Sequence, residues 1–277
     1  MKKIILFLFS TLILNSACDP LVDDKSIGGV VSENELNITV ESTSPGSNEI
    51  LLENNTSGVG SHWDYLVGRS TKQREVVRLP FVGELTITFI GLSDGGSVTT
   101  TRKVNVTQID KEIEKEWTIL GGTDVNGKAW VWADGDDVYG SGGYGYSYAP
   151  GWSFVTKENM LDTKNESPDN EMLFDLNGGA NFTKRTADGT VLEKGSFKFD
   201  MTKQKIKEDG TVWSIGQLEL TDATILCGTS RWGSTPLYVF DILSLTDDEI
   251  ILGWAADGTK FETWGDGDAT FWSFKRK

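Results

Sequence analysis

From Leu36 onward the chain alternates apolar and polar positions in short runs, and no stretch sustains a helical period. The first set is LNITV, EILLEN, HWDYLVG, EVVRL, ELTITFIGL and SVTTTRKVNV, separated by SPGSN, SGVGS and SDGGS. Runs of this length, rich in Val, Ile and Thr and bounded by Gly/Ser/Asn/Asp clusters, predict strands with one buried face, and their spacing predicts a small antiparallel sandwich. A second, longer set follows Glu116: WTILGG, KAWVWA, GYGYSYA, EMLFDL, ANFTKR, GSFKFDM, GQLELTD, ATILCG, YVFDILSL, EIILGWA and ATFWSFKRK, joined by NGG, ADGT, TDDE and GDGD turns. The expected fold is all-β: an Ig-like sandwich followed by a larger antiparallel β-sandwich of jelly-roll type, with a closed barrel as the alternative.

Five segments follow from these patterns. Residues 1–17 carry Lys2 and Lys3 and then the apolar run IILFLFSTLIL, the layout of an export signal too short to span a bilayer. Residues 18–34 are polar and acidic and read as a flexible tether. The sandwich is assigned to 35–108, a solvated connector of alternating charge to 109–115, and the tryptophan-rich domain to 116–277. LNSAC, at the end of the leader, resembles a bacterial lipobox, which implies that Cys18 becomes the lipidated first residue of the mature chain. The acidic residues just behind it, Asp19, Asp23 and Asp24, resemble the signal by which Bacteroidetes send lipoproteins to the outer face of the outer membrane. The expected membrane association is through the lipid alone.

Charge and rare residues narrow the chemistry. The net charge of −15 is spread over 277 residues without a Lys/Arg cluster, which argues against nucleic acid as a partner. Of the two cysteines one is the lipobox Cys18, so no intrachain disulfide framework is expected, and Cys227 reads as a small buried hydrophobe. The single histidine, His62, lies in the sandwich segment, far in sequence from the aromatic clusters, and histidine-rich zinc sites are excluded.

Nine of the ten tryptophans lie after Glu116, more than the packing of one domain of this size requires. The densest stretch is Lys128 to Phe154, KAWVWADGDDVYGSGGYGYSYAPGWSF. On strands, Trp130 and Trp132 share a face, and Tyr144, Tyr146 and Tyr148 share another opposite Gly and Ser. Two readings stand for such rings, core packing or ligand contact. Flat rings beside carboxylates suit a sugar polymer, because pyranose C–H faces stack on aromatic rings while carboxylates accept from hydroxyls. Trp130 and Trp132 sit in an alternation that any sheet can bury. The Gly/Ser/Pro-rich segment 144–152 makes a poor core strand, so its rings are expected to be the more exposed. The candidate glycan-binding set is therefore Tyr144, Tyr146, Tyr148 and Trp152, joined by Arg231, Trp232, Trp264 and Asp266.

The acidic pairs Glu171/Asp175, Asp247/Glu249 and Asp266/Asp268 raise a glycosidase, which needs two carboxylates about 5–9 Å apart across the scissile bond. Aspartates beside glycine are more simply turn formers, and no catalytic motif is assigned. The loops holding Asp124, Asp134 and Asp136 offer oxygen ligands for calcium without the spacing of a dedicated binding loop.

Two resemblances add to this reading. GELTITFIGLSDGGSVTTTRKVNVTQ resembles the last strands of a PKD domain, with HWDYLVG standing where that family carries W-x-F-G-D-G and lacking its Gly-Asp-Gly. EMLFDLNGGANFTK, GSFKF, FDILSLTDDEIILGW and FWSFKRK resemble the carboxy-terminal domain of Bacteroidetes surface lipoproteins encoded beside outer-membrane glycan importers of the starch-utilisation type, and also resemble extracellular lipocalin-like domains. The first resemblance implies a spacer. The second implies a non-catalytic, cell-surface glycan-binding lipoprotein that captures oligosaccharide or polysaccharide for the importer and its companion lipoproteins. The alternatives are a glycoside hydrolase or lyase on a β-sandwich, a lipocalin-like carrier of a small apolar ligand, and a structural surface protein.

Overall fold

A computed structural model describes residues 28–123, 125–262 and 268–277, and over these the protein is all-β with two short α-helices and two single-turn 3-10 helices. Cys18, Asp124, Trp264 and Asp266 lie outside the described residues.

The first domain contains β1 (Ile38–Ser42), β2 (Glu49–Asn54), β3 (Gly60–Asp64), β4 (Arg69–Ser70), β5 (Arg74–Arg78), β6 (Gly83–Ser93) and β7 (Gly96–Val106). They form a three-stranded sheet, β1-β2-β5, facing a four-stranded sheet, β4-β3-β6-β7. The alternation in EILLEN and ELTITFIGL buries Ile50, Leu52, Leu85, Ile87 and Phe89 between them. Trp63 is fully buried against Phe89, 4.5 Å between ring centroids, and donates its indole N–H to the Lys72 carbonyl. The end of the segment read as tether is docked: Ser32 and Glu35 close a capping box, and Glu33 reaches Thr100 and Arg102 on β7.

Next come α1 (Lys115–Gly121), β8 (Lys128–Trp132), β9 (Tyr139–Gly143), β10 (Ser153–Phe154), α2 (Met160–Lys164), β11 (Glu171–Asp175), β12 (Asn181–Arg185), β13 (Val191–Asp200), β14 (Lys205–Ile206), β15 (Val212–Ser214), β16 (Gly216–Thr221), β17 (Val239–Leu245), β18 (Glu249–Ala255) and β19 (Asp268–Arg276). Strands β11, β12, β13, β16, β17, β18 and β19 pair in chain order, and β8 joins β11 on one side and β19 on the other. The result is a closed antiparallel barrel of eight strands. Of the two architectures expected for this domain, the barrel forms and the jelly-roll sandwich does not. An eight-stranded barrel is just wide enough for its side chains to fill. Inward positions of facing strands pair as Trp130 with Met172, Phe174 with Phe182, Leu218 with Phe240, and Leu252 with Trp272, and all of these side chains are buried.

Three other expectations are corrected. WTILGG is the helix α1, not a strand: Trp117 wedges between Phe81 of the sandwich and Phe199 of the barrel, with ring centroids 5.5 and 4.5 Å away. ATILCG is a buried turn that plugs the barrel end, held where Trp272 donates to the Cys227 carbonyl (3.0 Å) and the Thr224 N–H donates to Glu193 (2.9 Å). GYGYSYA is a turn as well; the strand before it, β9, is the sequence YGSGG and lies wholly buried between β10 and β19. A Cβ on Gly140 would stand 2.1 Å from the Ser153 carbonyl, so only glycine permits that approach.

The sandwich meets the barrel at one end. Val82 donates to Leu176 (3.0 Å) and accepts from Gly178 (2.7 Å) in the β11–β12 turn, and Trp130 at the same end donates to the Leu120 carbonyl of α1. The register places Ala255, Asp268, Thr221 and Val239 at the opposite end.

Candidate functional site

That opposite end carries the candidate residues in two groups, one on each side of the 255–262 segment. The first group rims the barrel mouth. Trp232 is 68% exposed, with the Arg231 guanidinium over its ring at 4.5 Å and its indole N–H donating to Asp268 at 2.9 Å. Its loop is fixed from beneath. The Lys164 ammonium at the end of α2 donates to the Ser230 (2.8 Å) and Gly233 (3.0 Å) carbonyls and to the Thr229 hydroxyl, and the Tyr139 hydroxyl is bonded to the Thr229 and Ser230 carbonyls. Burial holds the Lys164 pKa below its usual value and raises that of Tyr139. The Arg231 N–H donates to the Thr270 hydroxyl at 2.9 Å. Trp232 and Trp254, together with Asp268, Thr259 and Thr270, frame a cleft of about 410 Å³. Cross-strand pairing of Trp254 with Thr270 sets both at the inner rim.

The second group lies on the outer wall. Tyr144 is buried, packed edge-on against Trp213 and Phe261 at 5.2 Å each, whereas Tyr146, Tyr148 and Trp152 are exposed at 48%, 41% and 46%. The tyrosines therefore do not form one aligned face. Gly145, at φ 85°, turns the chain between Tyr144 and Tyr146. As the spacing predicts, Trp130 and Trp132 are core, and every ring of the later group but Tyr144 is exposed. The loop rests on a satellite core of Tyr144, Trp213, Leu243, Ala269 and Phe271. Trp213 is fully buried there and donates to the Ser147 carbonyl at 2.8 Å. Glycine at position 253 allows the indole to lie on the barrel wall, since a Cβ there would stand 3.2 Å from the Trp213 ring. Segment 255–262 ties the groups together: the Tyr146 hydroxyl donates to the Glu262 carbonyl (2.6 Å), and Glu262 N–H donates to Tyr144 O (3.1 Å).

Beside this loop is a polar cluster that the sequence did not announce. Lys205, on β14, donates to the Tyr144 hydroxyl and, at 2.5 Å, to Asp241 of β17, whose other carboxylate oxygen is buried without a partner. Burial raises the Asp241 pKa, with the Lys205 ammonium opposing it. For Lys205 burial pulls downward, and the bonds to Asp241 and Tyr144 outweigh it, leaving the pKa raised. Trp254, whose only sequence signal is its place at the end of the inward Ile250, Leu252, Trp254 row, borders this cluster too.

The acidic pairs have structural partners. Glu171 is bound by Arg185 and Lys277, Asp175 caps the turn at Asn177 and Asn181, Asp247 meets Lys128, and Glu249 accepts from Ser244. Asp134 is held by Lys275, and among the described residues no group of three or more His, Cys, Asp or Glu is placed to hold a metal. Cys227 is buried, which pushes its thiol up to about 12 and leaves it a poor nucleophile. Compared with protein-family models and with curated proteins, the chain finds no match.

Proposed function

We propose that the protein is a lipid-anchored, cell-surface glycan-binding protein that captures oligosaccharide or polysaccharide without cutting it, for an outer-membrane importer and its companion lipoproteins. The observation that carries this reading is the 68%-exposed Trp232, braced by Arg231 and Asp268 and facing a cleft it shares with Trp254. A braced, exposed indole beside a carboxylate and a second indole offers a flat apolar face on which a pyranose can stack. The position fits the role. The cleft lies at the barrel end away from the sandwich, and the amino-terminal side of the sandwich leads back toward the lipobox.

A carrier of a small apolar molecule is the other role a closed barrel suggests, but here Trp130, Trp132, Phe174, Phe240, Trp272 and Phe274 occupy the interior. The test is affinity electrophoresis of the mature chain in gels containing neutral polysaccharides, paired with a reducing-end assay on the same polymers. Retarded migration without new reducing ends is expected. Unaltered migration in every polymer, or steady release of reducing ends, overturns the reading.

A further inference from the structure

We propose that the recess around Lys205 and Asp241 is a subsite for a single neutral, polyhydroxylated sugar ring; this rests on the glycan reading and specifies where one unit of the chain is held. The recess measures about 300 Å³ and includes Tyr144, Lys205, Gln217, Asp241 and Trp254 in its walls. That is the lower limit of small-molecule sites, which run from about 300 to 1,000 Å³.

Its chemistry selects against charge. The Asp241 side chain is 4% exposed and opposed by the Lys205 ammonium at 2.5 Å. An ammonium ligand would be repelled by Lys205 and an anionic one by Asp241, while the pair already satisfies the attraction each could offer. A hydroxyl both donates and accepts, so it suits a wall presenting both functions. Asp241 Oδ1 accepts nothing at present, although it is buried. Lys205 commits two donors, to Asp241 Oδ2 and Tyr144, out of the three an ammonium carries. Gln217, cross-strand neighbour of Asp241, accepts from Lys203 through its oxygen and brings amide donors to the same wall. A buried carboxylate oxygen left without a donor is costly, and a ligand hydroxyl would supply the missing hydrogen bond.

The two recesses share Trp254, Ala256 and Thr259. A glycan stacked at Trp232 therefore has a short path over the 255–259 turn into the polar recess.

The experiment titrates the mature chain with neutral gluco-, xylo- and manno-oligosaccharides, and with galacturonate oligosaccharides as an anionic probe. Val239→Trp fills the recess from an exposed wall position while keeping both residues of the ion pair, and is expected to weaken the bound neutral ligand at least about tenfold, or 1.4 kcal/mol. Asp241→Asn, checked for folding by circular dichroism, leaves Lys205 uncompensated and is expected to shift preference toward the galacturonate probe. Neutral binding unchanged in Val239→Trp overturns the subsite alone if Trp232→Ala weakens it by tens-fold. A parent chain that binds no probe overturns the wider glycan reading and the subsite with it.

Discussion

Trp213→Ala should remove the footing of the 144–154 loop, and the loss is large enough to measure in the whole protein. The indole is fully buried, meets Tyr144 at 5.2 Å and Phe261 at 5.5 Å, and holds the Ser147 carbonyl at 2.8 Å. Deleting a buried tryptophan costs about 3–5 kcal/mol, combining lost transfer energy with the cavity left behind. The hydrogen bond accounts for about 0.5–1.5 kcal/mol of that. For a chain of this size each kcal/mol lowers the melting temperature by about 2–4 °C, so a fall of roughly 6–20 °C is expected in a thermal melt. Trp213→Phe keeps much of the volume and should lose less. Hydrogen exchange should show faster opening at 139–154 than in the barrel strands. A fall of less than about 2 °C, with unaltered exchange in that segment, would refute the claim that the satellite core supports the aromatic loop.

Three further outcomes are expected. Trp117→Ala should uncouple the domains, since that ring meets both Phe81 and Phe199; a loss of about 2–3 kcal/mol, below the cost of a fully buried ring, should split one calorimetric transition into two, and a single unshifted transition would contradict it. For Glu171, burial raises the pKa but the bonds from Lys277 and Arg185 outweigh it, leaving it lowered. Its contribution is therefore present above the unfolded carboxylate pKa of about 4.3 and lost as pH falls through the lower folded value; Glu171→Gln should melt lower at pH 7 and lose less on acidification than the parent, and parallel melting-versus-pH curves would contradict this. Cys18→Ala should move the protein from the detergent phase to the aqueous phase of a Triton X-114 partition, and a variant still in the detergent phase would remove the lipid anchor from the account.

Much of the strand pattern was legible because period two survives wherever one face is buried. KAWVWA, EMLFDL, ELTITFIGL and EIILGWA all form strands with the expected residues inward. Closure was not legible, because it depends on β8 pairing with β19, segments more than a hundred residues apart whose local alternation is the same in a sandwich. WTILGG misleads because six residues fit either period: Trp117 and Leu120, three apart, share a helical face as readily as apolar residues mark a strand. YGSGG has one aromatic and no apolar alternation, yet its missing side chains are what let β9 lie between two neighbours.

The candidate site was legible in part. Exposure of Trp152 and Trp232 follows from their Gly/Ser-rich surroundings, and burial of Tyr144 does not, since it is set by Trp213, distant in sequence. Lys205 reads as one charge in the solvated run KQKIK, and only the fold brings it to Asp241, 36 residues on.

The central claim is tested most directly by the dissociation constant of Trp232→Ala for whichever neutral polysaccharide retards the parent, measured beside its melting temperature. The ring is 68% exposed, so stability should change by no more than about 0.5 kcal/mol. Truncating an aromatic contact at the centre of an interface costs about 2 kcal/mol or more, so affinity should fall by tens-fold. An unchanged dissociation constant in a folded variant would contradict the account, as would a variant that unfolds.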